Sequence, residues 1–193
     1  MNAVVTSEVY SRNKIHPKKF ALIAACAGMF MSFIALTSAY IVRQAAGNWL
    51  EFQLPAIFYY NTLVVVASSL FLHFSYKGFL KGNTRQYRFS MVAAFVLGLL
   101  FLVLQYQGWH EMDNLGLGLT VNPSSSFIYL ISGWHAAHIL GGIGVLAVAL
   151  LHAFLLVHKV TVKRKQRFEL TLIFWHFVDF LWVYLLVFFT IQS

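Results

Sequence analysis

The sequence predicts an all-α integral membrane protein, a bundle of five transmembrane helices, and three observations carry that prediction. Five long stretches, residues 20–42, 56–76, 89–107, 124–158 and 170–193, contain no lysine or arginine. Each has at least the ~19–20 residues that cross a hydrocarbon core of ~30 Å at about 1.5 Å per residue. The segments between them alternate in charge. The chain as a whole is 60% hydrophobic and 10% charged with a mean hydropathy of +0.71, whereas a soluble domain carries about 25% charged residues.

Taken in order, residues 1–19 carry Arg12, Lys14, Lys18 and Lys19 but neither an apolar h-region nor a small-residue cleavage site, so helix 20–42 is expected to act as the insertion signal. Only Arg43, with Glu51 further on, is basic before helix 56–76, whereas Lys77, Lys81, Arg85 and Arg88 lead into helix 89–107. The loop from Trp109 to Pro123 holds Glu111 and Asp113 and no base. The fourth stretch, about 35 residues, is too long for one straight crossing and must begin outside the bilayer, tilt or protrude. Lys159, Lys163, Arg164, Lys165 and Arg167 then precede the fifth. This distribution puts the N-terminus in the cytoplasm or matrix and the C-terminus outside. Tyr10, Trp49 and Trp109 stand where interfacial aromatic anchors belong. Lipid tolerates no unpaired backbone groups, so the spans are helices, and no period-two alternation supports strands.

The same distribution disposes of other classes. The net charge of +8 resides in short connecting segments, which is how topology signals rather than nucleic-acid surfaces are arranged. The single cysteine, Cys26, lies inside an apolar run and has no internal disulfide partner. No Pro-rich or Gly/Ser-rich linker divides the chain, so residues 20–193 read as one transmembrane domain after the segment 1–19. No nucleophile–base pair, phosphate loop or CxxC occurs, and no catalytic centre is apparent.

Ionisable groups inside a span cost about 2.5–3.5 kcal/mol at mid-helix, so each calls for a reason. Asp179 is the one intramembrane acid, ten residues beyond Glu169 and close to the midplane. At 100° per residue Trp175, Asp179 and Trp182 share a face, with His176 one step round. The fourth stretch supplies Gly133-Trp134-His135-Ala136-Ala137-His138 and then Gly141, Gly142 and Gly144, small residues that permit close helix approach. His152, level with His176 by distance from the basic boundary, is a candidate partner for His176 or Asp179. Three readings stand for these histidines. They hydrogen-bond across helices; they serve headgroups or a proton relay; or His138, His152 and His176 bind haem or metal in an electron-transfer protein.

The last seventy residues resemble subunit III of the haem-copper terminal oxidases, of both cytochrome c and quinol types. Gly133-Trp134-His135-Ala136-Ala137-His138 is similar to that family's G-[FW]-H-x-x-H element, and Glu169 with Trp175-His176-Phe177-Val178-Asp179-Phe180-Leu181-Trp182 to its E-x6-H-F-V-D-x-x-W pattern. Pro55, Asn61-Thr62 and Ser68-Ser69 resemble its P…NT…S helix, and Leu97-Gly98, Phe101 and Leu104-Gln105 its LG…F…LQ helix. The chain departs from the family in span one, where Ala27-Gly28-Met29 stand and no acid is present, and near Gln107-Gly108, where an acid often follows the LQ pair. It also resembles a five-helix form without the two further N-terminal helices that enclose a lipid-filled cleft, so that cleft is expected to be missing or completed by another subunit.

The resemblance implies an accessory, non-catalytic subunit of a proton-pumping oxidase in aerobic respiratory electron transport. That subunit stabilises subunit I, influences proton entry and binds phospholipid. It implies no cofactor in this chain, haem and copper in subunit I, and subunits I and II as partners in a hetero-oligomeric complex or larger supercomplex. The membrane would be a bacterial inner membrane rather than a mitochondrial one. Glu169 and Asp179 would be its acids, His135, His138 and His176 their polar companions, and Trp175 and Trp182 the packing walls.

Overall fold

The structure, a computed structural model, describes residues 16–155 and 160–192. Tyr10, Arg12, Lys14, His158, Lys159 and Ser193, which the topology reading used, lie outside the described residues. Five helices follow one another: α1 (Pro17–Ala45), α2 (Ile57–Leu80), α3 (Thr84–Asn114), α4 (Pro123–Leu155) and α5 (Val162–Gln192). All are long and apolar enough to cross a membrane. The chain's three prolines sit at helix beginnings, Pro17 and Pro123 as first residues and Pro55 just before α2, where the missing N–H costs nothing.

Four of the helices run beyond the uncharged stretches. Lys18 and Lys19 fall in the first turn of α1, Arg85 and Arg88 in the first two turns of α3, and Lys163 to Arg167 in the first two turns of α5; Trp109 to Asp113 close α3. The loops expected at these places are therefore shorter than the charge pattern suggested. Charge excludes a side chain from hydrocarbon but does not stop a helix, and long basic side chains at a helix end reach the interface. The fourth stretch is one continuous helix of 33 residues as described, about 50 Å long.

Helices α2, α3, α4 and α5 form a ring, α2 beside α3 and α5, α4 beside α3 and α5, while α1 packs only on α4 and α5. The α2–α3 hairpin is the tightest pair. Its turn uses Gly82 at φ 73°, Asn83 caps α3 by accepting from Gln86 N at 3.1 Å, and a Cβ on Gly78 would lie 2.9 Å from Tyr87 N. Ser75 and Ser68 of α2 donate to the Tyr87 and Ala94 carbonyls of α3 at 2.9 and 2.8 Å. On the far side Trp109 Nε1 donates to Ser132 Oγ at 2.9 Å, Tyr129 to the Trp109 carbonyl at 2.7 Å, and Arg88 Nε to the Ala153 carbonyl at 2.9 Å, tying α3 to α4. Phe20, Leu63, Phe89, Tyr106 and Val187 are each more than half exposed, an outward apolar surface that suits lipid rather than water.

Candidate functional site

The interior of the ring is built around α5. Trp175, Val178, Asp179, Leu181, Trp182 and Leu185 are all buried, so the polar-aromatic face expected there does point inward. The Trp175 indole lies in a slot between α3 and α4. A Cβ on Gly98 would meet its Cη2 at 2.9 Å, and one on Gly142 its Cζ3 at 3.0 Å. Its Nε1 donates to Ser68 Oγ at 3.2 Å. Trp182 stacks on Phe58 and on His135, with centroids 6.2 and 5.2 Å apart, meets Phe101 edge-on at 5.1 Å, and donates from Nε1 to Thr62 Oγ1 at 2.9 Å. The two tryptophans fill the ring from its α5 side.

Between them lies Asp179, 5% exposed, with neither carboxyl oxygen in a hydrogen bond. His176 Nδ1 is hydrogen-bonded to Ser69 Oγ, and its ring lies 6.2 Å from that of His73. Contacts between α2 and α5 thus recur along the whole antiparallel pair: Tyr76 OH donates to Glu169 Oε1 at 2.9 Å, then come His73 and Ser69 with His176, Thr62 with Trp182, and Tyr59 with Thr190 at 3.3 Å. The α2 half of this seam, Ser69, His73 and Tyr76 above all, was not singled out as a site from the sequence. Their spacing of four and then three residues puts them on one helix face, which is the signal that could have found them.

The histidines of α4 do not form one cluster. His135 is fully buried among Phe33, Phe101 and Trp182, and neither ring nitrogen has a hydrogen-bond partner. His138, a turn away, is paired through Nδ1 with the Trp134 carbonyl at 2.8 Å and packs on Phe33. His152 does not face His176 or Asp179 as proposed from depth. It lies exposed on a groove shared with Phe174 of α5, and His176 is two residues, or about 200°, further round. His138, His152 and His176 therefore stand on three different surfaces, which does not suit a shared haem or metal. Among the described residues no group of three or more His, Cys, Asp and Glu could hold a metal ion.

At the end of the bundle where the basic residues gather, Glu169 receives three partners: Lys19 of α1 in an ion pair, Tyr76 of α2, and Lys165 one turn back at 4.0 Å. Beside this cluster opens the groove, a cavity of about 950 Å³ between α1 and the ring. Leu22, Met91, Gly141, Gly144, Val148 and Phe174 wall it, and Lys18, Arg164, Arg167 and His152 also line it. Gly141 and Gly144 have nothing within 4 Å of a Cβ position. Of the three glycines expected to allow close approach, only Gly142 does so, and its neighbours are the Trp175 and Phe174 side chains. An open apolar groove is thus formed within the five helices themselves.

Comparison with known proteins places these features in a family. Residues 48–193, which hold α2 to α5, match the family described as cytochrome c oxidase subunit III. The chain is 27% identical over 188 residues to the probable cytochrome c oxidase subunit 3 of Mycobacterium tuberculosis, covering 93% of this chain and 90% of that one. It is 25% identical over 191 residues to that of Nocardia farcinica, covering 94% and 91%. It is 27% identical over 136 residues to the cytochrome c oxidase subunit 3 of Scyliorhinus canicula, covering 70% and 49%.

Proposed function

Because this chain belongs to the cytochrome c oxidase subunit III family, we propose that it is the non-catalytic accessory subunit of a proton-pumping haem-copper terminal oxidase that reduces oxygen to water. In this reading haem and copper reside in subunit I, and this chain, docked beside subunits I and II, stabilises subunit I during turnover. The observation that carries it is the coincidence of the family match with the ring: residues 48–193 supply both tryptophans, Asp179 and the α2–α5 seam. A bundle so rigidly filled suits a scaffold better than a moving catalyst.

Two finer roles belong to the same proposal. The groove, apolar within and rimmed by Lys18, Arg164 and Arg167, suits the acyl chains and phosphate of a phospholipid. The buried Asp179 with the His176–Ser69 pair suits a group that influences proton uptake by the complex. The basic end of the bundle faces the cytoplasm of a bacterial inner membrane, which puts the N-terminus inside. Gentle solubilisation followed by identification of co-purifying chains tests the whole. An oxidase subunit I should accompany this chain in stoichiometric amount, and its migration alone would refute the proposal.

A further inference from the structure

Helix α1 is attached unevenly. Its far half buries Phe33, Thr37 and Tyr40, with Thr37 bonded to Tyr184 at 2.9 Å and Tyr40 ringed by Trp49, Phe127 and Phe188. Residues 17–29, by contrast, bury one side chain, Cys26, while Ala21, Ala24, Ala25, Ala27 and Gly28 are exposed. Lys18 and Leu22 of this half form one wall of the groove. Among the described residues the polar contact that joins it to the ring is the Lys19–Glu169 ion pair, with Glu169 itself steadied by Tyr76. Lys19 and Glu169 are 34% and 21% exposed, so water and headgroups reach the pair, and such pairs are weak.

Between the two halves the helix has a place to bend. Gly28 has nothing within 4 Å of a Cβ position, and one turn later the Ser32 hydroxyl donates to the Met29 carbonyl at 2.6 Å. Hydroxyl bonds of this kind draw the backbone carbonyl away from the helix ladder and bend helices.

We propose that residues 17–29 of α1 are a strap hinged near Gly28, that the Lys19–Glu169–Tyr76 cluster latches it across the basic end of the groove, and that the strap opens sideways to admit the groove's occupant. That the occupant is phospholipid rests on the function proposed above; the hinge and the latch rest on contacts within this chain. Release of the latch moves the basic half of α1 and leaves the aromatic half in place.

The test is a distance measurement in the intact complex in lipid nanodiscs. Cys26 is replaced by Ala, and spin labels are placed at Ala21→Cys and Lys163→Cys to follow the strap, or at Ser38→Cys and Ile191→Cys to follow the anchored half. Glu169→Gln, and independently Lys19→Gln, should raise the open population of the strap pair about fivefold, the factor that follows from the ~1 kcal/mol upper range of an exposed pair. The anchored pair should not move. Exchange of the charges, Lys19→Glu with Glu169→Lys, should restore the closed distance, and Gly28→Ala should reduce opening in the Glu169→Gln background. An unchanged strap distance in both single variants, or equal movement of the two label pairs, would overturn the proposal. Phospholipid counted per complex separates the readings: an open strap with an unaltered lipid count would refute the lipid role and leave the latch standing.

Discussion

Gly141 and Gly142 are neighbours in sequence whose substitution by alanine should have opposite effects. At Gly142 the new methyl would lie 3.0 and 3.1 Å from Cζ3 and Cε3 of Trp175 and 3.3 Å from Phe174. The indole cannot simply retreat. Gly98 lies on the opposite side, so close that a Cβ there would stand 2.9 Å from Cη2 of the same ring, and Nε1 is held by Ser68. A methyl group forced into such a packed interior costs roughly 1–3 kcal/mol, against which helix propensity returns about 1 kcal/mol for Gly→Ala. The net is a loss of about 0–2 kcal/mol for Gly142→Ala, and similarly for Gly98→Ala. The double variant should lose more than the sum, because the ring is squeezed from both faces. Gly141→Ala meets nothing within 4 Å, so it should be neutral or stabilising by up to ~1 kcal/mol. Thermal denaturation of the purified complex, followed for this chain by in-gel dissociation or circular dichroism, reads the order Gly141→Ala at or above the parent, each tight variant below it, and the double variant lowest. Trp175→Phe, which shortens the ring, should recover part of the loss in Gly142→Ala. If Gly142→Ala were as benign as Gly141→Ala, the slot between α3 and α4 would not be the tight contact argued for it.

Three further outcomes are expected. Asp179→Leu should weaken assembly or shorten the oxidase's working life while leaving the haem spectrum intact, checked by turnover-dependent inactivation and an absorption spectrum; loss of the haem signal from an intact complex would contradict the accessory role. A double-mutant cycle on Trp182→Phe and Thr62→Val should give a coupling of about 0.5–1.5 kcal/mol, the net worth of one hydrogen bond, and zero coupling would deny the 2.9 Å contact. Lys18→Gln with Arg167→Gln, on the rim of the groove, should lower the phospholipid retained per complex after detergent washing, with no such loss from Lys81→Gln, which is exposed and not among the groove's lining residues.

The inward face of α5 was legible because helical periodicity is a property of one segment: Trp175, Asp179 and Trp182 fall together at 100° per residue whatever surrounds them. The number of spans was legible for a similar reason, since hydropathy is local. Relations between helices were less so. Depth from the charged boundary says nothing of azimuth, and what His152 faces proved to be the open groove rather than His176. The same gap hid the partners of α5 on α2, because Ser69, His73 and Tyr76 acquire their role only once α2 and α5 are known to lie side by side. The charged helix ends were misread as loops because lysine and arginine mark where the bilayer ends, while helices end where capping and chain reversal allow, as at Gly82 and Gly116.

The family match takes in the ring, while full-length relatives align across α1 as well, covering 93% of this chain. The match begins at residue 48, after α1, and in the ring contacts depend on particular side chains: a glycine on either side of Trp175, serine under its Nε1, threonine under that of Trp182. Such contacts tolerate few substitutions, and a sequence pattern can be built on them. At its basic end helix α1 has one ion pair to the ring and one buried side chain, Cys26, beside a run of exposed alanines. Lys19 and Glu169 join the two parts, since Glu169 lies within the match and Lys19 outside it. A glutamate of the ring paired with a lysine of α1 is the contact that the proposed latch between frame and strap requires.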